Sequence, residues 1–135
     1  LLSDINDIEN YGMVNSTIMT KIKSLLPGPF TILLKSKNNS TISKLVQADS
    51  DRIGIRIINN SFCNELINQL QRPIITTSVN SHGNPPLNNI DEIQNEFKNH
   101  KIFYDKKKLI SKGSTIIDFS VSPEKIIRQG VGQII

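Results

Sequence analysis

Two polar segments of the chain contain the residue types that could bind a negatively charged ligand. Residues 76–80, Thr-Thr-Ser-Val-Asn, follow an apolar run and lead into a turn that contains glycine, and residues 112–115, Lys-Gly-Ser-Thr, precede a second apolar run. Hydroxyl, amide and backbone N–H groups in such turns can converge on phosphate or carboxylate oxygens. Arg56 and Arg128 add guanidinium groups that match these oxygens bidentately. Each feature alone also fits an ordinary turn or a solvated arginine, so the hypothesis of anion binding depends on the set.

Several familiar catalytic arrangements are excluded by the sequence. His82 and His100 belong to no metal-ligand spacing, and neither a nucleophile elbow, a Walker loop nor a dinucleotide-binding fingerprint occurs. Cys63 is the only cysteine, and beside Phe62 on a predicted helix it is expected to be a buried apolar residue rather than a nucleophile. The sequence therefore assigns no catalytic residue and no metal site.

Charge and hydropathy limit the class of protein. The chain has 135 residues, 37% of them apolar, and a formal net charge of +4, which suits an anionic ligand, a nucleotide or RNA but equally a solvated basic surface. No apolar run approaches the roughly 20 residues that span a membrane, and no secretory signal opens the chain. We expect a single domain over residues 1–135 in a soluble, cytoplasmic protein.

The elements that must position these residues follow from hydrophobic periodicity. Asn15 or Ser16 caps a helix with apolar residues at helical spacing, which Pro-Gly-Pro at 27–29 ends. Isoleucines alternate with arginines over 52–58, which predicts a strand with one buried face. The remaining pattern predicts helices at 61–71 and from Asn89, a helical turn at 42–47, and strands at 30–35, 73–79, 101–104, 114–119 and 125–128.

Helices and strands interleave, and several of the strands are apolar throughout. This pattern predicts an α/β fold of the α+β type, with an open, twisted, mixed sheet that is flanked by helices. Open sheets of this kind bind ligands at the carboxyl ends of their strands. The polar segments at strand ends are therefore expected to form one site.

Five segments, in order, resemble motifs of the YrdC family of threonylcarbamoyl-AMP synthases. They are Leu-Pro-Gly-Pro-Phe-Thr at 26–31, Ile-Gly-Ile-Arg-Ile at 53–57, Thr-Ser-Val-Asn-Ser-His-Gly at 77–83, Gly-Ser-Thr-Ile-Ile-Asp at 113–118 and Arg-Gln-Gly at 128–130. Together they cover nearly the whole chain. Ile58 differs from the family pattern, which usually has proline there.

The resemblance implies an open sheet around a positively charged cleft. The resemblance also implies an activity, the formation of threonylcarbamoyl-adenylate and pyrophosphate from L-threonine, bicarbonate and ATP, with Mg²⁺ bound to the phosphates. A downstream transferase would use the product to modify tRNA. Two positions where the family often has a hydroxyl near the nucleotide are occupied by Arg52 and Pro86, and His82 replaces a usual serine. The residues implied for ATP are Ser78, Asn80, Arg128, Arg52 and Pro86, and those implied for threonine are Arg56, Thr76 and Ser114.

The chain lacks the segment that precedes these motifs in the family, so we expect it to be a fragment of a YrdC-like domain without its N-terminal part. Two alternatives stay open at this stage. One is a non-catalytic module that binds double-stranded RNA or tRNA through the basic face. The other is the carbamoyl-adenylate domain of a carbamoyltransferase that matures hydrogenases.

Overall fold

The computed structural model describes residues 1–38, 41–47, 50–104 and 112–134, which form two compact units. The first unit consists of residues 1–75 and the segment from Lys112 onward, and the second unit begins at Thr76. The first unit contains strands β1 (Gly12–Met13), β2 (Phe30–Ser36), β3 (Arg52–Ile55), β4 (Thr115–Asp118) and β5 (Lys125–Arg128), helices α1 (Ile8–Tyr11), α2 (Ser16–Leu25) and α3 (Ser61–Leu70), and 3-10 turns at Ile5–Asp7 and Lys44–Gln47. Helix α4 (Ile90–Glu96) belongs to the second unit.

Strand β2 is the centre of one mixed sheet. Strand β3 is antiparallel to it along one edge, with Ile55 opposite Ile32. Along the other edge β2 pairs in parallel with β4 and, further along, in antiparallel fashion with β1. Strand β5 is antiparallel to β4. The neighbouring order β3-β2-β4-β5 confirms the predicted α/β fold with a mixed sheet and helices.

The two faces of this sheet differ because successive side chains of a strand point to opposite sides. On one face Ile32, Leu34, Ile55 and Ile117 are buried in a cluster that includes Ile22 from α2. The register places a second set of residues on the opposite face, which we call the polar face: Thr31, Leu33 and Lys35 of β2, Arg52 and Gly54 of β3, and Ile116 and Asp118 of β4.

Helix boundaries agree with the capping signals in the sequence. The Asn15 side chain accepts a hydrogen bond from the Ile18 N–H at 2.8 Å, as an N-cap residue does. Asn60 caps α3 in the same way, and Asn89 caps α4. The predicted turn at 42–47 is confirmed by the 3-10 turn Lys44–Gln47.

Two predicted strands are wrong. Residues 73–79 and 101–104 contain no strand, although both segments are rich in apolar or aromatic residues. Pro73 has no N–H to donate to a sheet, and Ile75 is 70% exposed. Ile74 instead exchanges two backbone hydrogen bonds with Leu1, at 2.7 and 3.2 Å. Apolar composition alone therefore did not identify a strand here.

Helix α3 has an exposed apolar side. Phe62, Leu66 and Leu70 share one side of the helix, as predicted, but the side chain of Phe62 is 64% exposed. The residue of α3 that is buried is Ile67, which is 5% exposed. Cys63 on this helix is half-buried rather than buried. Within the described ranges, no helix combines the length and the apolar character that crossing a membrane requires.

Candidate anion-binding site

The strand order brings together four polar residues that are far apart in the sequence. Thr31 is on β2, Arg56 follows β3, Ser114 precedes β4 and Arg128 ends β5. Because these strands are neighbours in the order β3-β2-β4-β5, the four residues lie across one end of the polar face. We refer to them as the arginine–hydroxyl row. Three of the four, Arg56, Ser114 and Arg128, are predicted site residues.

Direct contacts join three members of the row. The hydroxyl oxygens of Thr31 and Ser114 are 2.6 Å apart. Arg128 donates two hydrogen bonds to the Ser114 carbonyl, from Nε at 3.1 Å and from Nη2 at 2.9 Å, and Nη2 also lies 3.3 Å from the Ser114 hydroxyl. The Arg128 guanidinium is thus fixed against a buried serine, which leaves its outer edge available for a ligand.

Arg56 is half-buried, and its buried Nε lacks, among the described residues, the hydrogen-bond partner that a buried polar atom normally has. Burial and, to a smaller extent, the charge of Arg128 lower the pKa of the Arg56 guanidinium. In the part of the chain that the structure describes, no carboxylate forms an ion pair with Arg56 or Arg128. Two neighbouring cations that no carboxylate neutralises favour the binding of an anion.

Two glycines permit the close packing behind this row. Gly113 has φ of +77°, and a Cβ there would lie 3.1 Å from Nη2 of Arg128. A Cβ at Gly130 would lie 2.4 Å from the Gly113 carbonyl oxygen, which is closer than any real contact. The Gly130 N–H donates to the buried Thr115 hydroxyl at 3.0 Å. The Arg-Gln-Gly segment therefore holds Arg128 against the start of β4.

A second arginine on the polar face is already paired. Arg52 Nη1 donates to Asp118 Oδ2 at 3.0 Å, across the intervening strand β2. The Asp118 side chain is only 3% exposed, whereas that of Arg52 is 44% exposed, and the other Asp118 oxygen accepts hydrogen bonds from the N–H and the hydroxyl of Ser120. Arg52, predicted to lie near the nucleotide, thus has a fixed orientation on the same face as the row.

The other four predicted residues belong to the second unit. Ser78 donates to the side chain of Asn80, and the Asn80 amide donates to the carbonyls of Ser81 and Asn84, both at 3.0 Å. Asn80 therefore organises the loop that presents Ser78, as the motif implied. Thr76, Ser78 and Pro86 are exposed, and so is His82.

Thr31 is the member of the row that the sequence did not predict. It closes the Pro-Gly-Pro-Phe-Thr motif, but its partner Ser114 is 83 residues away, so nothing local marks it as a site residue.

Among the described residues, no group of three or more His, Cys, Asp or Glu side chains could hold a metal ion. The guanidinium and hydroxyl groups of the row are suited to anionic oxygens because guanidinium groups only donate hydrogen bonds and carry positive charge.

A comparison with known proteins identifies the family. The model of the Sua5/YciO/YrdC family, described as "Telomere recombination", matches residues 1–130. A putative threonylcarbamoyl-AMP synthase of Methanocaldococcus jannaschii is 39% identical over 132 residues, and a threonylcarbamoyl-AMP synthase of Pseudoalteromonas atlantica is 34% identical over 123 residues. The matches cover 95% and 90% of this chain, respectively. The chain spans 59% of the length of each of these relatives.

A solved structure shows the same fold. The crystal structure of P. abyssi Sua5 complexed with L-threonine matches with a TM-score of 0.83 at 20% sequence identity, over 96% of this chain and 38% of the other. The fold, the ordered motifs and the family model agree. This chain belongs to the Sua5/YciO/YrdC family.

Proposed function

We propose that this chain is part of an L-threonylcarbamoyladenylate synthase, which makes threonylcarbamoyl-AMP and pyrophosphate from L-threonine, bicarbonate and ATP. The names of the two relatives support this activity. So does the L-threonine in the similarly folded P. abyssi structure. The product is a mixed anhydride, which a downstream transferase in the cytoplasm would use to form threonylcarbamoyladenosine in tRNA.

The observation that supports the proposal most directly is the arginine–hydroxyl row. Both substrates present anionic oxygens, a carboxylate on threonine and phosphates on ATP. Arg56, with its unsatisfied buried Nε, provides a donor for the carboxylate, and the Ser114 hydroxyl, which accepts from Arg128, would belong to the same threonine site. Arg128 lies beside them and has no carboxylate partner among the described residues, so it can face a phosphate. A charge-assisted hydrogen bond of this type contributes about 1.5–3 kcal/mol.

The proposed chemistry needs no protein nucleophile. The threonine amine adds to carbon dioxide with loss of a proton, or to bicarbonate with loss of water, and gives a carbamate. The carbamate oxygen then attacks the α-phosphorus of ATP, and the bond between that phosphorus and the bridging oxygen breaks as pyrophosphate leaves. The task of the chain is then to hold two anions in line and to neutralise the charge that develops on the phosphate. Mg²⁺ enters this scheme as part of the substrate, bound to the ATP phosphates.

For residues of the second unit, the proposed contacts follow from the resemblance to the family motifs alone. Ser78, presented by Asn80, would donate to the nucleotide, with Pro86 against the same ligand, and Thr76 would contact threonine. Arg52 would reach the nucleotide with the N–H groups that Asp118 does not use. The exposure of Thr76, Ser78 and Pro86 leaves all three accessible to a ligand.

The proposal is tested by measuring pyrophosphate release from ATP by the purified protein. Release that requires L-threonine and bicarbonate together is expected, and Ser78→Ala is expected to raise the KM for ATP, with Ser81→Ala as a neighbouring control. ATP turnover that is indifferent to both co-substrates would refute the proposal. If the protein is instead an RNA-binding module, RNA affinity that falls steeply with salt should appear without this activity.

A further inference from the structure

The hydroxyl of Thr31 has no assigned role, although it lies within the arginine–hydroxyl row. Ile32 of β2 is opposite Ile55 of β3, and the two strands are antiparallel. One residue before Ile32 is Thr31 and one residue after Ile55 is Arg56, so these two residues lie beside each other. A Cβ on Gly54 would lie 3.6 Å from Cγ2 of Thr31, which confirms that Thr31 points to the polar face. Thr31 therefore stands between Arg56 on one side and Ser114 on the other.

The hydrogen-bond donors of this group can be counted. Each hydroxyl has one hydrogen to donate. The Ser114 and Thr31 oxygens are 2.6 Å apart, and either hydroxyl could donate. We take Ser114 as the donor because Nη2 of Arg128, 3.3 Å from the Ser114 oxygen, can only donate to it. The hydrogen of the Thr31 hydroxyl then remains for another acceptor. Thr31 lies on the strand next to Arg56, and the buried Nε of Arg56 also lacks an acceptor among the described residues.

From this geometry we infer that Thr31 is a further binding residue, which donates a hydrogen bond to the carboxylate held by Arg56. Hydrogen bonds would run in series from Arg128 to Ser114, from Ser114 to Thr31, and from Thr31 to the ligand. Each donor in such a series polarises the next, so the last one is a stronger donor than an isolated hydroxyl. The inference rests on the proposed function, because it takes L-threonine as the ligand.

The test compares Thr31→Val, which keeps the shape of the side chain but removes the hydroxyl, with Thr31→Ser, which keeps the hydroxyl. Calorimetric titration with L-threonine is expected to give a Kd about tenfold higher or more for Thr31→Val, as the loss of a hydrogen bond to a charged group predicts. Thr31→Ser is expected to stay within about threefold of the parent. Ser114→Ala combined with Thr31→Val should weaken binding by less than the product of the single effects.

A second ligand separates contact from general disruption of the site. L-threoninol has a CH₂OH group in place of the carboxylate, which is a neutral and weaker acceptor, so Thr31→Val should lose less affinity for it than for L-threonine. A valine variant that loses affinity for both ligands alike would overturn the inference, and so would one that binds L-threonine as tightly as the parent. A parent protein that binds no L-threonine would overturn the proposed function itself and the inference with it.

Discussion

The two ends of the polar face place arginines in opposite situations. Arg52 donates to Asp118, a carboxylate that is almost fully buried and is also bonded to Ser120. Arg56 has a buried Nε without a partner in the described part of the chain, and the charges of Arg128 and of the Leu1 ammonium group near it are also positive. The first cation is neutralised within the fold, whereas no carboxylate among the described residues pairs with the second. We therefore propose that Arg52 contributes mainly to stability and Arg56 mainly to ligand binding.

The largest effect is expected at Asp118. Asp118→Ala removes a buried acceptor, leaves Arg52 and Ser120 without their partner, and is expected to lower the free energy of unfolding by about 3 kcal/mol. Urea unfolding measures this loss. Asp118→Asn, which keeps one carbonyl oxygen, serves as the control and should lose less. If both variants unfold at the urea concentration of the parent, Asp118 has no structural role.

Arg56→Gln is expected to have the opposite profile. L-threonine affinity should fall about 100-fold, since charge-assisted donors are lost. Stability should stay the same or rise, because burial and the charge of Arg128 disfavour a charged residue at this position. Titration and urea unfolding of the same preparation measure both quantities. A variant that is destabilised but binds L-threonine normally would assign Arg56 to the fold and contradict the comparison.

The smallest effect is expected at Arg52. Its side chain is 44% exposed, so solvent screens its interaction with Asp118, and Arg52→Gln should lower the free energy of unfolding by only about 1 kcal/mol. L-threonine affinity should be unchanged. A loss of L-threonine affinity comparable to that of Arg56→Gln would show that both ends of the polar face hold the same ligand.

Local sequence signals predicted the elements that depend on nearby residues. The cap at Asn15 and the Pro-Gly-Pro turn fixed the limits of α2, which begins at Ser16 and ends at Leu25. Alternating isoleucines identified β3, and the prediction of a strand at 125–128 matches β5. The failed strand at 73–79 had a suitable composition but no neighbouring strand to pair with over its length. A strand is defined by its partner, which composition does not reveal.

The candidate site could be predicted only in part, because the proximity of its residues also depends on strand pairing. Arg56, Ser114 and Arg128 were identified as candidates by residue type and by family motifs, but their proximity depends on β2 pairing with both β3 and β4. Thr31 was not among the predicted residues because its proximity to Arg56 and Ser114 arises only from this pairing. The Arg52–Asp118 contact spans 66 residues of sequence and crosses β2. Arg52, a position suggested for the nucleotide, is therefore also paired with a buried carboxylate.

The most direct test of the central claim is an NMR titration of the protein with L-threonine, monitored at arginine Nε–H and backbone amide resonances. The account predicts that Arg56 Nε–H shifts most, because it gains its first hydrogen-bond acceptor, and that Ser114 and Arg128 shift with it while Arg52 changes little. Saturable shifts confined to Arg52 and Asp118, with Arg56 unchanged, would contradict it.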